Sequence, residues 1–376
     1  MTDSDWSYVC ERCRQREHLE SRAWQCPVCG GAFGLIGPNK LDPTMIAAAD
    51  PTLWRYRAIL PADPGYAQPL GEGMTPLIPG RLVGRDVWFK LDHLLPTGSF
   101  KDRGAAVLTA HLRRLGLRRI VVDSSGNAAA AFAGYCAANQ LDCIVYAPAM
   151  TSLGKLVQAR AFGAAVHLVE GNREAAAAAA QDAASSDAGA FYASHNWHAV
   201  FVEGVKTWAI EVWEQLGRRL PSAAFVPTGG GSAFVGGRRG FDAVGDRLPT
   251  LIAAQPSACA PIVASWEAGL DDISPTTPGA TIAEGTRIGA PARGRQIMAA
   301  IRDSGGWAAA VDDERIASTL RDLFRQGIYV EPTAAVGAAA YVDAVTAGRL
   351  IPDGDVVILL TGSGLKATDT ISAFAD

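Results

Sequence analysis

Apolar positions along this chain follow two alternating rhythms. Short, nearly continuous apolar runs lie at residues 119–125, 142–147 and 165–170, each preceded by a stretch whose Ala, Val and Leu recur at helical spacing. Runs of that length bounded by turn residues predict buried strands, and the longer stretches between them predict helices. The alternation predicts a parallel sheet built through right-handed crossovers. Further strand-like runs at 86–92, 190–194, 223–226 and 355–360, with helices over 104–117, 128–140 and 207–216, extend the pattern. The alanine-rich stretch 175–180 is read as helix, because no apolar run reaches membrane-spanning length. The fold class expected is α/β, with two open-sheet α/β domains over 71–205 and 206–376. Residues 36–70, with several Pro and one short helix near 53–59, read as a connecting arm.

Composition sharpens this picture. A chain of 376 residues with 49% hydrophobic and 19% charged content has room for two such domains and a small module. A formal net charge of −4 shows no basic excess, which argues against nucleic acid as the main partner, and no membrane partner is expected. The start, MTDSDWSYVC, lacks the basic and apolar regions of a signal peptide. Three of the seven cysteines, Cys136, Cys143 and Cys259, are scattered in apolar surroundings, and a reducing, cytoplasmic compartment fits this usage.

The other four form two pairs within residues 1–35. Cys10-x-x-Cys13 and Cys26-x-x-Cys29 stand 12 residues apart, a spacing that places four thiolates around one structural Zn²⁺ in a zinc-ribbon-like module. So short a segment cannot bury a core of its own, so the metal would supply its folding energy. All four positions being filled, none stays open for catalysis. A site that has lost its metal, or redox-active thiols, are the alternatives. Asp3, Asp5, Glu11, Glu17 and Glu20 dilute the arginines between them, and His18 reads as a surface residue.

Candidate chemistry lies at the ends of the strands. After the run 86–92 comes PTGSFKDRGA, which sets Lys101 at the mouth of a helix. The helix dipole and partial burial there favour the neutral amine, the nucleophilic form, so Lys101 is a candidate for a Schiff base with an aldehyde cofactor. The run RRIVVD ends in Ser124-Ser125-Gly126-Asn127, where Asn127 either caps the next helix or offers its amide to a ring oxygen. Pro227-Thr228-Gly229-Gly230-Gly231-Ser232 follows the next domain's first strand. Successive N–H groups there form an anion nest at a helix N-terminus, without the Lys-Ser/Thr of a nucleotide P-loop. The last strand ends in Thr361-Gly362-Ser363, where a hydroxyl can bond a pyridine nitrogen, Thr361 being the first choice and Ser363 the second. His195 and His198, three apart, read as packing or substrate contact rather than a metal pair, and 285–295 reads as a loop that closes over a site or bridges domains. An amine, an amide, a phosphate nest and a hydroxyl together match the functional groups of pyridoxal 5′-phosphate.

The motifs PTGSFKDRGA, SSGNAAAA, LGEGMTPL, VEPTAA and LTGSGLKA resemble those of fold-type II pyridoxal-phosphate enzymes, in the threonine synthase-like branch. The resemblance runs from about residue 70 to the C-terminus. It implies a cofactor cleft between the two domains and a homodimer acting on a small amino-acid substrate. It implies Lys101 as the Schiff-base lysine, Asn127 at the 3′-oxygen, Gly229, Gly230, Gly231 and Ser232 at the phosphate, and Thr361 or Ser363 at the ring nitrogen. Substrate contacts are expected from Ser124, Ser125, His195 and Lys206.

The implied activity is a lyase reaction at the β or γ carbon: threonine synthase, converting O-phosphohomoserine and water to threonine and phosphate. A serine/threonine dehydratase, a diaminopropionate-type ammonia-lyase or a cysteate synthase-like enzyme is the alternative, and a non-catalytic zinc-ribbon interaction protein a remote one. In the resembled family an arginine that clamps substrate phosphate commonly precedes the EGxKT stretch. Here Phe201 holds that place, and phenyl cannot replace a bidentate donor.

Overall fold

The computed structural model describes residues 6–151, 153–349 and 351–374, so Asp3 and Asp5 of the ribbon lie outside the described residues. The chain separates into two compact units, one of residues 1–73, 95–97 and 101–205, the other of 74–94, 98–100 and 206–376. The expected α/β class is what the structure shows.

In the first unit, β1 (Ser7–Cys10) lies between β2 (Arg16–His18) and β3 (Phe33–Ile36) in a small antiparallel sheet. The arm's short helix, Leu53–Ile59, is 3-10 with a non-helical Tyr56. The main sheet is parallel, in the order β8 (Ala165–Val169), β7 (Asp142–Pro148), β6 (Arg119–Asp123), β9 (Ala190–Tyr192). Its helices are α1 (Lys101–Arg114), α2 (Asn127–Ala138), α3 (Leu153–Ala161), α4 (Arg173–Ser185) and α5 (Ala199–Val205). α2 is apolar around most of its circumference and accordingly buried from Ala128 to Cys136. α1 begins three residues before the apolar pattern does. Thr97 donates its N–H to the Asp102 carboxylate at 2.7 Å and its hydroxyl to the same group, which ties the turn before the helix to its first residues.

The second unit holds a six-stranded sheet in the order β12 (Trp307–Val311), β11 (Thr250–Pro256), β10 (Ala223–Pro227), β13 (Val356–Leu359), β5 (Arg85–Lys90), β4 (Leu77–Leu82). All neighbours are parallel except the β4–β5 hairpin at the edge. α6 (Thr207–Gln215), α7 (Ser232–Val244), α8 (Pro261–Glu267), α9 (Gly294–Asp303), α10 (Asp313–Arg325), α11 (Pro332–Thr346) and α12 (Thr368–Ser372) complete it. One expectation is corrected here. Residues 74–94, expected in a first domain over 71–205, build the edge of the second sheet. Phe89 pairs with Ile358 and is buried in one core with Phe225. The fully buried Lys90 ammonium meets Glu211 of α6 at 2.6 Å, so removing this hairpin would strand a buried carboxylate. Among the described residues no helix is long and apolar enough to cross a membrane.

Candidate active site

In the first unit, Lys101 is the first residue of α1 and is half-buried. Its Nζ lies 5.7 Å from the centroid of the Phe201 ring. Phe201 is fully buried, and its ring rests on Gly104, where an added Cβ would come within 2.5 Å of it. On another side the Phe201 ring meets His195, centroids 6.1 Å apart. His195 is buried, with an Nδ1 that has no hydrogen-bond partner. Burial pushes its pKa well below the usual imidazole range, and the Lys101 and Arg173 cations push it further, so the ring is neutral.

Ser124, Ser125 and Asn127 gather at the carboxyl end of β6, all half-buried. The N-cap of α2 is Gly126 rather than Asn127, and no side chain caps it. Gly126 instead donates its N–H to Ser124 Oγ at 3.3 Å. Asn127 therefore stands at the first position of the helix rather than at its cap. The LGEGMTPL stretch contributes Glu72, which accepts hydrogen bonds from Leu70 N–H at 2.7 Å, Trp54 Nε1 at 3.0 Å and the Tyr135 hydroxyl at 3.0 Å. Burial raises its pKa. Through Tyr135, Glu72 fixes the helix that begins at Asn127.

The four cysteines converge as their spacing predicts. Their sulfurs all lie within 4.8 Å of one another, with Cys10–Cys29 at 3.4 Å and Cys13–Cys26 at 3.5 Å. Tetrahedral Zn–S bonds set sulfurs about 3.8 Å apart, so the cluster fits such an ion. The Arg12 and Cys13 N–H groups point at Cys10 Sγ at 3.4 and 3.5 Å, which stabilises a thiolate. Among the described residues these cysteines form the one group suited to a metal, and neither His18 nor the His195/His198 pair belongs to it.

In the second unit, β10 runs into Gly229, Gly230 and Gly231, and α7 starts at Ser232. Gly231 takes φ +89°, a left-handed conformation that favours glycine, and it caps the 13-residue α7. Gly229 needs its bare Cα for another reason: a Cβ there would lie 2.8 Å from the Thr286 backbone. The loop expected to cover something thus backs this glycine turn. The backbone N–H groups of such a turn and the positive end of α7 suit a phosphate.

At the end of β13, Thr361 is buried and its Oγ1 has no hydrogen-bond partner. Ser363 differs, because its Oγ accepts the Leu365 N–H at 3.3 Å in a local turn. Ser99, not singled out from the sequence, pairs with Gly362 in a β-bridge and also buries an unpartnered hydroxyl. Its signal was its place inside PTGSFKD. Lys206 is fully buried immediately before α6, and its carbonyl oxygen would lie 2.2 Å from a Cβ at Gly240.

Comparison with known proteins now gives the class. Residues 69–362 match the pyridoxal-phosphate dependent enzyme family. The chain belongs to that family, in its fold-type II, threonine synthase-like branch, and is a pyridoxal-phosphate-dependent lyase. It is 31% identical to the threonine synthase of Methanosarcina acetivorans, over 96% of this chain and 92% of that one. It is 32% identical to that of Methanocaldococcus jannaschii, over 96% and 93%. Among solved structures, a threonine deaminase from T.th. superposes with a TM-score of 0.67 at 27% identity, covering 77% of this chain and 92% of that one.

Proposed function

We propose that Lys101, Asn127, Gly229, Gly230, Gly231, Ser232 and Thr361 hold pyridoxal 5′-phosphate, and that the enzyme is a threonine synthase, forming threonine and phosphate from O-phosphohomoserine and water. The observation that carries the reading is the buried, unpartnered hydroxyl of Thr361 at the end of β13. An orphaned hydroxyl in the interior is costly unless a ligand satisfies it, and a ring nitrogen does so. The chemistry supplied by bound pyridoxal phosphate is an aldehyde for amines and a ring that takes up the electron pair left on the α carbon. A neutral hydroxyl at the ring nitrogen makes that uptake modest, which suits elimination and replacement over transamination. Lys101 Nζ, on the first residue of α1, takes the α-proton. The glycine N–H groups bind the phosphate, and Ser124, Ser125, Lys206 and neutral His195 contact the substrate. A structural Zn²⁺ on Cys10, Cys13, Cys26 and Cys29 stabilises the ribbon. A cytoplasmic homodimer goes with this reading, and light scattering in solution tests the dimer.

A second reading is favoured by Phe201. Its buried ring fills the position where the resembled family commonly places a phosphate-clamping arginine. A serine/threonine dehydratase, a diaminopropionate-type ammonia-lyase or a cysteate synthase-like enzyme has no need of that clamp, and the likeness to a threonine deaminase supports this class. The deciding experiment is a substrate panel on the purified holoenzyme. Phosphate release from O-phosphohomoserine supports the first reading. Ammonia and keto-acid release from serine, threonine or 2,3-diaminopropionate, without phosphate release, replaces it with the second.

A further inference from the structure

The ribbon grips the parts of the first unit that surround Lys101. Tyr8, buried on β1, meets the His198 ring edge-on with centroids 5.8 Å apart, and His198 lies 6.3 Å from the ring of His111 on α1. Glu20 reaches Arg114 at 3.9 Å, at the end of α1. Arg22 donates to the Ala188 and Ala190 carbonyls at 2.7 and 2.6 Å, where β9 begins. Trp24 stands edge-on to Tyr192 at 4.9 Å and to Trp197 at 5.4 Å, so its contacts bracket Ser194 and His195.

From that segment the contact passes directly to the start of α1. α5 follows at Ala199, sets Phe201 against Gly104, and brings Gly204 so close that a Cβ there would lie 2.2 Å from the Arg103 carbonyl oxygen. Backbone in contact with backbone leaves no compliant side chain to absorb a shift. A displacement of residues 190–198 therefore reaches the first turn of α1.

We infer that Tyr8, Arg22 and Trp24 are positioning residues of the active site. They hold residues 190–198 and, through α5, the turn that carries Lys101, so the geometry at Lys101 depends on a folded ribbon. The inference rests on the reading that Lys101 binds the cofactor. It gives the four cysteines a part in the reaction without any contact between their metal and substrate.

The test compares the full-length holoenzyme with Trp24→Ala, Arg22→Met and the conservative Trp24→Phe. The readouts are cofactor content, the visible circular dichroism of the bound cofactor without substrate, and kcat and KM on the best substrate of the panel. Trp24→Ala and Arg22→Met are expected to keep the cofactor, change its dichroic band, and lower kcat by ~10-fold or more with KM within about 3-fold, as misplacement of a reacting group does. Trp24→Phe restores the band. Arg22→Met removes two hydrogen bonds and one charge, which faces Asp187, from an exposed side chain, and it carries the test if Trp24→Ala does not fold. Variants that melt earlier but keep the dichroic band and kcat overturn the inference, because the ribbon then only covers the fold. A parent protein without any cofactor band overturns the underlying assignment of Lys101 instead.

Discussion

The backbone N–H of Phe100 donates to the carbonyl oxygen of Thr361 at 2.9 Å. Ser363 N–H in turn donates to the Gly98 carbonyl at 3.0 Å, and Ser99 bridges Gly362. Residues 98–100 are thus tied by one antiparallel bridge to residues 361–363, just past the end of β13. The Thr361 carbonyl is used in this pairing while its hydroxyl is left over, so one residue both anchors residues 98–100 and offers an unused donor.

Lys101→Ala removes the amine and leaves the Thr97–Asp102 turn in place. Bound cofactor should lose its visible absorbance band, and turnover should fall by ~10³-fold or more, the scale of a lost general base combined with a lost nucleophile. An absorbance titration checks the first and a turnover assay the second. A band that survives the substitution excludes Lys101 as the attachment point.

Thr361→Val keeps the shape and deletes the hydroxyl. Cofactor affinity should fall by roughly 5- to 10-fold, the worth of one hydrogen bond of about 1 kcal/mol. The cofactor-free protein should melt no lower than the parent, because the deleted oxygen has no partner to lose. Ser363→Ala should leave affinity nearly unchanged, since its oxygen is engaged with Leu365. Equilibrium dialysis and a thermal melt of the cofactor-free form separate the two residues.

Gly231→Ala imposes a Cβ at φ +89°, 2.5 Å from Ile297 Cδ1. The strain should cost about 1–3 kcal/mol of stability, and the distorted turn should weaken phosphate-dependent cofactor binding more than it weakens binding of phosphate-free pyridoxal. Denaturant melts and the two binding isotherms check this. Equal loss for both ligands would mean that the turn does not hold the phosphate.

Acid should destabilise the protein before carboxylates titrate. Burial pushes His93 down to about 4 and His111 to about 3, and His195 is also held well below its ordinary value. An unfolded histidine titrates near 6.5, so between that pH and the folded value the unfolded chain binds more protons. Stability is then fully present above about pH 6.5 and is lost as pH falls toward the folded values, by about 2 kcal/mol per histidine at pH 5. A melting temperature that falls from pH 7 to 5, with a shallower slope in His93→Leu, is the expected result. A flat profile across that range contradicts it.

Local chemistry was legible in the chain. The strand and helix positions around Lys101, Asn127 and Gly231 follow from apolar spacing and glycine placement, and both extend over only a few residues. The Cys10, Cys13, Cys26, Cys29 cluster likewise follows from its spacing. α1 starts three residues ahead of the apolar pattern because Asp102 and Thr97, polar residues outside that pattern, close its first turn.

By itself, then, the sequence determined which elements form and which side chains stand at their ends, because periodicity and capping act over one or two turns of chain. Tertiary structure alone decided that residues 74–94 belong with the second sheet, where Trp88 finds Val357, and that Ser363 spends its oxygen on a turn while Thr361 keeps its own. It alone set Tyr8 against His198 and Trp24 against Tyr192, residues far apart along the chain. Pairing and burial of this kind depend on which distant surfaces meet, and no local pattern encodes the meeting.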